Sequence, residues 1–143
     1  MRLSAKGEYA IKAMLDLAMH RTGSLVPIQE IAGRQAIPQR YLEQVLLSLK
    51  RAGLLTSKRG SSGGYHLTRN PEDITVGEVL RAVDGSSSPF EPVARGRRDG
   101  QDLVDLWREI SEAVSSVVDR LTFGDLATRA AERRGAARPM YHI

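Results

Sequence analysis

The side chains with the clearest chemistry in this 143-residue chain fall into two short clusters. Gln39, Arg40, Tyr41, Glu43 and Gln44 crowd together, offering amide, guanidinium, phenol and carboxylate groups of the kind that hydrogen-bond base edges. Glu43 stands out because a carboxylate repels phosphate yet accepts a hydrogen bond from cytosine N4. It is equally suited to an ion pair within its own helix, near Arg40 or Lys50. In the second cluster, Lys58 and Arg59 flank the run Gly60-Ser61-Ser62-Gly63-Gly64. A tip rich in Gly and Ser lets a backbone approach a phosphate chain closely, and cations beside it can enter a narrow groove of negative potential. Gly63 and Gly64 also suit a plain hairpin turn.

Other chemistries find no support. Ser86-Ser87-Ser88 has no His or Asp arrangement to activate a nucleophile, and no acid–base pair is grouped at a turn or cleft motif, so an enzyme is not expected. His20, His66 and His142 are scattered without metal-ligand spacing, and structural or surface roles are expected for them. The chain has no cysteine, which excludes disulfides, thiolate zinc sites and cysteine-ligated iron–sulfur clusters. No cofactor is expected.

The net charge of +4 is unevenly distributed. Residues 27–69 hold seven Lys and Arg against two Glu, while the chain after Asn70 is net acidic. Such a split suggests that one end meets a polyanion and the other meets protein or solvent. The modest total charge and the base-reading set disfavour a non-specific nucleoid protein. No apolar run approaches membrane-spanning length and no signal-peptide core is evident, so a cytoplasmic location is expected.

The elements that must position these residues follow from periodicity. Ala10, Ala13, Met14, Leu17 and Ala18 recur at helical spacing within 6–21. Pro27 introduces a second helix over 28–35, and Ala36-Ile37 makes a tight turn. Pro38 opens a third helix with Leu42, Val45, Leu46 and Leu49 on its buried side, and Gly53 stops it. The two short helices have helix-turn-helix proportions, and the clustered polar residues fall on the outward face of the second. Strands over 54–58 and 65–68 make a hairpin wing, and the capping pair Thr75 and Glu78 starts a helix over 76–84. Residues 1–84 thus read as a winged helix-turn-helix domain and 85–101 as a flexible linker without cluster cysteines. A seam of Leu103, Trp107, Ile110, Val114, Val117 and Leu121, spaced by fours and threes, calls for a partner helix and predicts a homodimer. Thr122 and Asp125 cap a short helix over 123–131, and the tail from 132 has no clear element. The predicted fold is mainly α with a small β-hairpin wing, plus a long C-terminal dimerisation helix.

Three stretches together, 2–10 (RLSAKGEYA), 41–44 (YLEQ) and 59–67 (RGSSGGYHL), resemble the Rrf-type bacterial regulators. The resemblance implies a homodimeric repressor of double-stranded operator DNA. It puts Gln39, Arg40, Tyr41, Glu43 and Gln44 in the major groove and Arg59 at the minor groove, with Lys58, Ser61, Ser62, Gly63, Gly64 and Tyr65 completing the wing. Ser4 and Lys6 would touch phosphate, which positions a protein without reading sequence. The linker departs from the cluster-binding members, which carry three cysteines there; this chain has Ser86, Ser87 and Ser88 followed by an Arg-rich loop. Glu8, where some relatives offer a carboxylate ligand, is expected to be a solvated helix residue. Stretches 88–91, 106–110 and 121–127 and the ending Met140-Tyr141-His142-Ile143 most resemble the family's cluster-free cysteine-metabolism branch. That likeness implies repression of cysteine and sulfur genes, with cysteine synthase (O-acetylserine thiol-lyase) as the sensor docked through the tail. Ile143 would then mimic an amino-acid substrate, against the simpler reading of a frayed end. The alternative is an Rrf-type regulator answering another small ligand or protein through the linker or the late-helix cleft.

Overall fold

The structure, a computed structural model, describes residues 4–21, 23–85 and 100–137. It comprises α1 (Ala5–Met19), α2 (Ile28–Gln35), α3 (Gln39–Arg51), β1 (Leu55–Lys58), β2 (Gly64–Leu67), a 3-10 turn (Pro71–Asp73), α4 (Val76–Asp84), α5 (Gln101–Arg120) and α6 (Phe123–Ala137). The tail Met140–Ile143 and the serines 86–88 lie outside the described residues.

Helix α1 is the central post. Ser4 caps it by accepting from the Gly7 amide at 2.9 Å, and Ala10, Ala13, Met14 and Leu17 are buried along one stripe. Helix α4 crosses at Gly7, where an added Cβ would crowd the Leu80 side chain at 3.1 Å and the Asp84 carboxylate at 3.0 Å, so a small residue suits the crossing. The expected boundaries of α2 and α4 match, and the ends of α1, α3 and the two strands shift by a residue or two, as element ends commonly do. The box at Thr75 is complete: its side chain accepts from the Glu78 amide at 3.1 Å and Glu78 returns a bond to the Thr75 amide at 3.3 Å.

Between α2 and α3 the chain turns at Ala36, in the left-handed region at φ 53° and ψ 46°. A non-glycine residue there costs about 1–2 kcal/mol, offset by the burial of Ile37 immediately after. The wing pairs Leu55 with Leu67 through Lys58 with Gly64 in antiparallel register, and β2 gains a further bridge from Tyr65 to Val26 with backbone bonds of 2.8 and 2.9 Å. A Cβ at Gly64 would run into the Val26 carbonyl, so this glycine lets a third segment lie against the hairpin.

Two expectations about the C-terminal part are corrected. Helix α6 continues to Ala137, past the boundary expected at 131, because the stretch RAAERRGAA consists mostly of strong helix formers but lacks the apolar period that marks a buried helix. Residues 102–131 are also not packed apart from 1–84. Phe123 is fully buried in the same core as Met14 and Leu80, with Val118, Leu121 and Leu126 packed against it. A short antiparallel bridge joins Thr75 to Thr122: the Val76 amide donates to Leu121 at 2.9 Å and the Phe123 amide to Ile74 at 3.0 Å.

Candidate nucleic-acid interface

The outward face of α3 is held from below. Leu42, Val45, Leu46 and Leu49 are buried, which leaves Gln39, Arg40, Tyr41, Glu43 and Gln44 exposed on the other side, as the period required. The Arg40 guanidinium lies 5.2 Å from the Tyr41 ring centroid, a cation–π contact that stiffens both side chains. Glu43 makes no ion pair or hydrogen bond among the described residues, so the intrahelical alternative for it is not realised. Leu47, one turn beyond Glu43 and Gln44, is 46% exposed on the same face, and sequence reasoning passed over it as an apolar residue off the buried stripe.

Sequence reasoning also missed the residue that fixes the helix pair. Asp16 on α1 is fully buried and accepts from Arg34 Nε and Nη2, both at 2.9 Å, and from Gln35 Nε2 at 3.0 Å. The bonds to Asp16 raise the Arg34 pKa above its ordinary value. The carboxylate thereby pins the end of α2, immediately before the turn into α3. Its one sequence signal was a charge beside the buried Leu17; the partners are 18 and 19 residues away. Arg34 is thus spent inside the fold, and Arg69 is engaged by Glu78 at 2.8 Å. The cations of the basic window that remain unpaired in charge are Arg40, Lys50, Arg51, Lys58 and Arg59.

Helix α3 and the wing are linked by Lys50, whose Nζ donates to Ser57 Oγ at 2.6 Å. Between them lies a cleft of about 460 Å³ lined by Glu43, Leu47, Lys50, Lys58, Arg59 and Tyr65, among others. Arg59, Ser61 and Ser62 are exposed at its edge. Gly63 and Gly64 have a steric role as well: a Cβ at Gly63 would strike the Lys58 carbonyl, so the tip requires glycine to close. Tyr65 is half-buried against the core with its backbone paired to Val26, which leaves only part of its ring for a partner.

The start of α1 divides differently from expectation. Lys6 is exposed, whereas the Ser4 hydroxyl caps the helix and donates to the Asp84 carboxylate at 2.8 Å. With its one proton committed to Asp84, Ser4 has none for a phosphate. Glu8 is exposed and pairs with Lys12 at 3.4 Å, a solvated pair as expected. The residues brought together at one surface are therefore Gln39, Arg40, Tyr41, Glu43, Gln44 and the wing cluster.

Helix α5 presents the second exposed surface. No residue of it is buried; Leu103, Trp107 and Val117 of the expected seam are 40%, 36% and 42% exposed, and Ile110 and Val114 are half-buried. Val104 and Leu106 extend the apolar area beyond that seam. Leu121 is partly buried against the chain's own core, and its carbonyl accepts from the Val76 amide at 2.9 Å. At this end Arg81 grips Asp119 through two bonds of 2.7 Å, which holds the carboxyl below its usual pKa.

Comparison with known proteins agrees with this geometry. Residues 3–129 match the family described as Rrf2, iron-dependent transcriptional regulator. The chain is 43% identical over 131 residues to the HTH-type transcriptional regulator IscR of Vibrio atlanticus, covering 88% of this chain and 75% of that protein. Among solved structures it is similar to T. potens IscR, with a TM-score of 0.79, 35% identity and coverage of 93% and 90%. It is also similar to CymR, the global cysteine regulator of B. subtilis, with a TM-score of 0.78, 34% identity and coverage of 90% and 98%. Identity is higher to the Vibrio IscR than to CymR, so these likenesses carry the family without favouring its cysteine-metabolism branch. The residues present do not fit a cysteine-ligated iron–sulfur cluster, since the chain has no cysteine, and among the described residues no three His, Asp or Glu side chains are grouped to hold a metal.

Proposed function

From the premise that this chain belongs to the Rrf2 family of transcriptional regulators, we propose that it is a homodimeric repressor that reads operator DNA through α3 and the wing. The observation that carries this reading is the outward face of α3, whose polar side chains are presented beside a cationic cleft with the helix locked from beneath by Asp16. Gln39, Gln44 and Arg40 supply the donors and acceptors that distinguish base pairs in a major groove, and Glu43 selects cytosine by accepting from its N4. Lys6 and Lys58 neutralise phosphates, and Arg59 with the Ser61-Ser62 tip enters the adjacent minor groove. The apolar face of α5, with Leu103, Trp107, Ile110, Val114 and Val117, pairs with its twin and sets the half-site spacing.

Fluorescence anisotropy with the promoter DNA upstream of the chain's own gene, at fixed salt, tests this. Specific binding exceeding that to random DNA by about three orders of magnitude is expected, and equal affinity for both overturns the reading. The effector is best assigned to a ligand or protein other than a cluster, given the cysteine-free chain. A second reading, with cysteine synthase as the sensor, has the likeness to CymR in its favour. It predicts that adding the synthase tightens operator binding and that O-acetylserine reverses the effect.

A further inference from the structure

The hairpin has a second cleft on its other side. Antiparallel register puts Leu55, Ser57, Tyr65 and Leu67 on the face turned to the core and α3, and Thr56, Lys58 and His66 on the opposite one. Over that opposite face, the end of α1 and the segment 23–26 enclose a cavity of about 520 Å³, within the size range of small-molecule sites. Its floor is apolar, formed by Leu17, Val26 and Leu67, and its formally charged wall residues are Arg21 and Lys58. Both are cations, and neither has an ion pair or hydrogen bond among the described residues. Among the described residues no carboxylate lines the cleft. Asp16, 3.7 Å from the His20 ring, is fully buried and held by Arg34. In the last turn of α1, the Asp16 carbonyl accepts from the His20 amide at 3.0 Å and from Nδ1 of that ring at 2.8 Å. An apolar-floored cleft whose charged wall groups are two uncompensated cations is matched by a compact, acceptor-only anion.

We propose that this cleft binds a small oxyanion, a phosphate- or carboxylate-bearing metabolite held between Arg21 and Lys58, and that its occupancy weakens operator binding by withdrawing Lys58 from the DNA. Lys58 lines both clefts, so one side chain serves the ligand or the DNA but not both at full strength. The binding half stands on the cleft alone, whereas the regulatory half rests on the DNA reading proposed above.

The test titrates the full chain with inorganic phosphate, and separately with malonate, with ionic strength held constant by chloride. Binding is followed by amide NMR and operator affinity by anisotropy. Saturable shifts confined to 20–26, 56–58 and 66 are expected, together with a weakening of operator binding of about fivefold. Arg21→Gln is expected to abolish both responses while leaving operator affinity without phosphate unchanged. Malonate moving the same signals supports the site as a carboxylate binder, and phosphate acting alone supports it as a phosphate binder. Linear shifts spread over all exposed cations and indifferent to Arg21→Gln overturn the site. Saturable binding with unchanged operator affinity overturns the regulatory half. If Arg21→Gln weakens operator binding in the absence of phosphate as much as loss of Arg59 does, the cleft is a contact to DNA phosphate and the proposal is overturned. Failure of the chain to bind any operator refutes the DNA reading while the NMR titration still decides the cleft.

Discussion

Helices α3 and α5 both expose a full face to solvent, but they differ in what holds them. Four buried apolar residues fix α3 from below and Asp16 fixes the helix before it, so its outward polar side chains are aimed before any ligand arrives. Helix α5 has no buried residue, and near its C-terminal end it is held by Asp119, Val118 and the bridge beside Leu121. A buried side gives a helix its position, and an exposed side selects its partner. In α3 the two jobs fall to opposite faces. In α5, under the proposed dimer, the apolar face would do both, and the position of its N-terminal part would depend on the partner that covers it.

Removing the support under α3 should have the largest effect. Asp16→Ala leaves the partly exposed Arg34 with Glu30 alone and removes three hydrogen bonds to a buried carboxylate, a loss of about 3 kcal/mol; denaturant unfolding should show that loss. Retained stability with normal operator binding would mean that α3 is aimed by its apolar face alone. Next, Ile110→Asp places a charge in the α5 seam. It should give monomers by light scattering and weaken operator binding about 100-fold, because a single half-site loses the joint contribution of two. A stable dimer after that change would place the interface elsewhere.

At the exposed polar face the effects should be smaller. Arg59→Ala should weaken operator binding about tenfold and reduce the salt slope by roughly one. An unaltered salt slope would remove Arg59 from the DNA. Glu43→Ala should leave operator affinity nearly intact while tightening binding to sites with the paired cytosine replaced, by about fivefold. Unchanged discrimination would reduce Glu43 to a solvated carboxylate. The smallest effect belongs to the grip on α5. Arg81 holds the Asp119 carboxyl below its usual value, so the unfolded chain takes up this proton first as the solution is acidified. The resulting stabilisation is present above about pH 4 and is lost as pH falls below it. Because the pair is well exposed, Asp119→Asn should flatten this acid limb of the unfolding free energy by less than about 0.5 kcal/mol.

The elements were legible in the sequence wherever a local pattern specified them. The period of Leu42, Val45, Leu46 and Leu49 gave α3 and its free face, Thr75 with Glu78 gave the start of α4, and the glycines gave the hairpin. What escaped was long-range. Asp16 meets Arg34 across 18 positions, and no local rule joins them. The burial of Phe123 among residues of the first half required knowing that Thr122 lies beside Thr75. The bond from the Ser4 hydroxyl to Asp84, 80 positions away, had no local signal either. The polar face of α3 was readable because the helical period alone decides which residues face away from a buried stripe.

The bridge between Thr75 and Thr122 has a mechanical consequence. It clamps one end of a 20-residue helix about 30 Å long to the body that carries α3 and the wing. Such a helix is a lever with its fulcrum at the clamp, and a rotation of about 5° there moves the far end by roughly 2.6 Å over that length. In a dimer joined along these levers, slight repacking at Phe123 or Asp119 would alter the distance between the two reading heads while leaving each head intact.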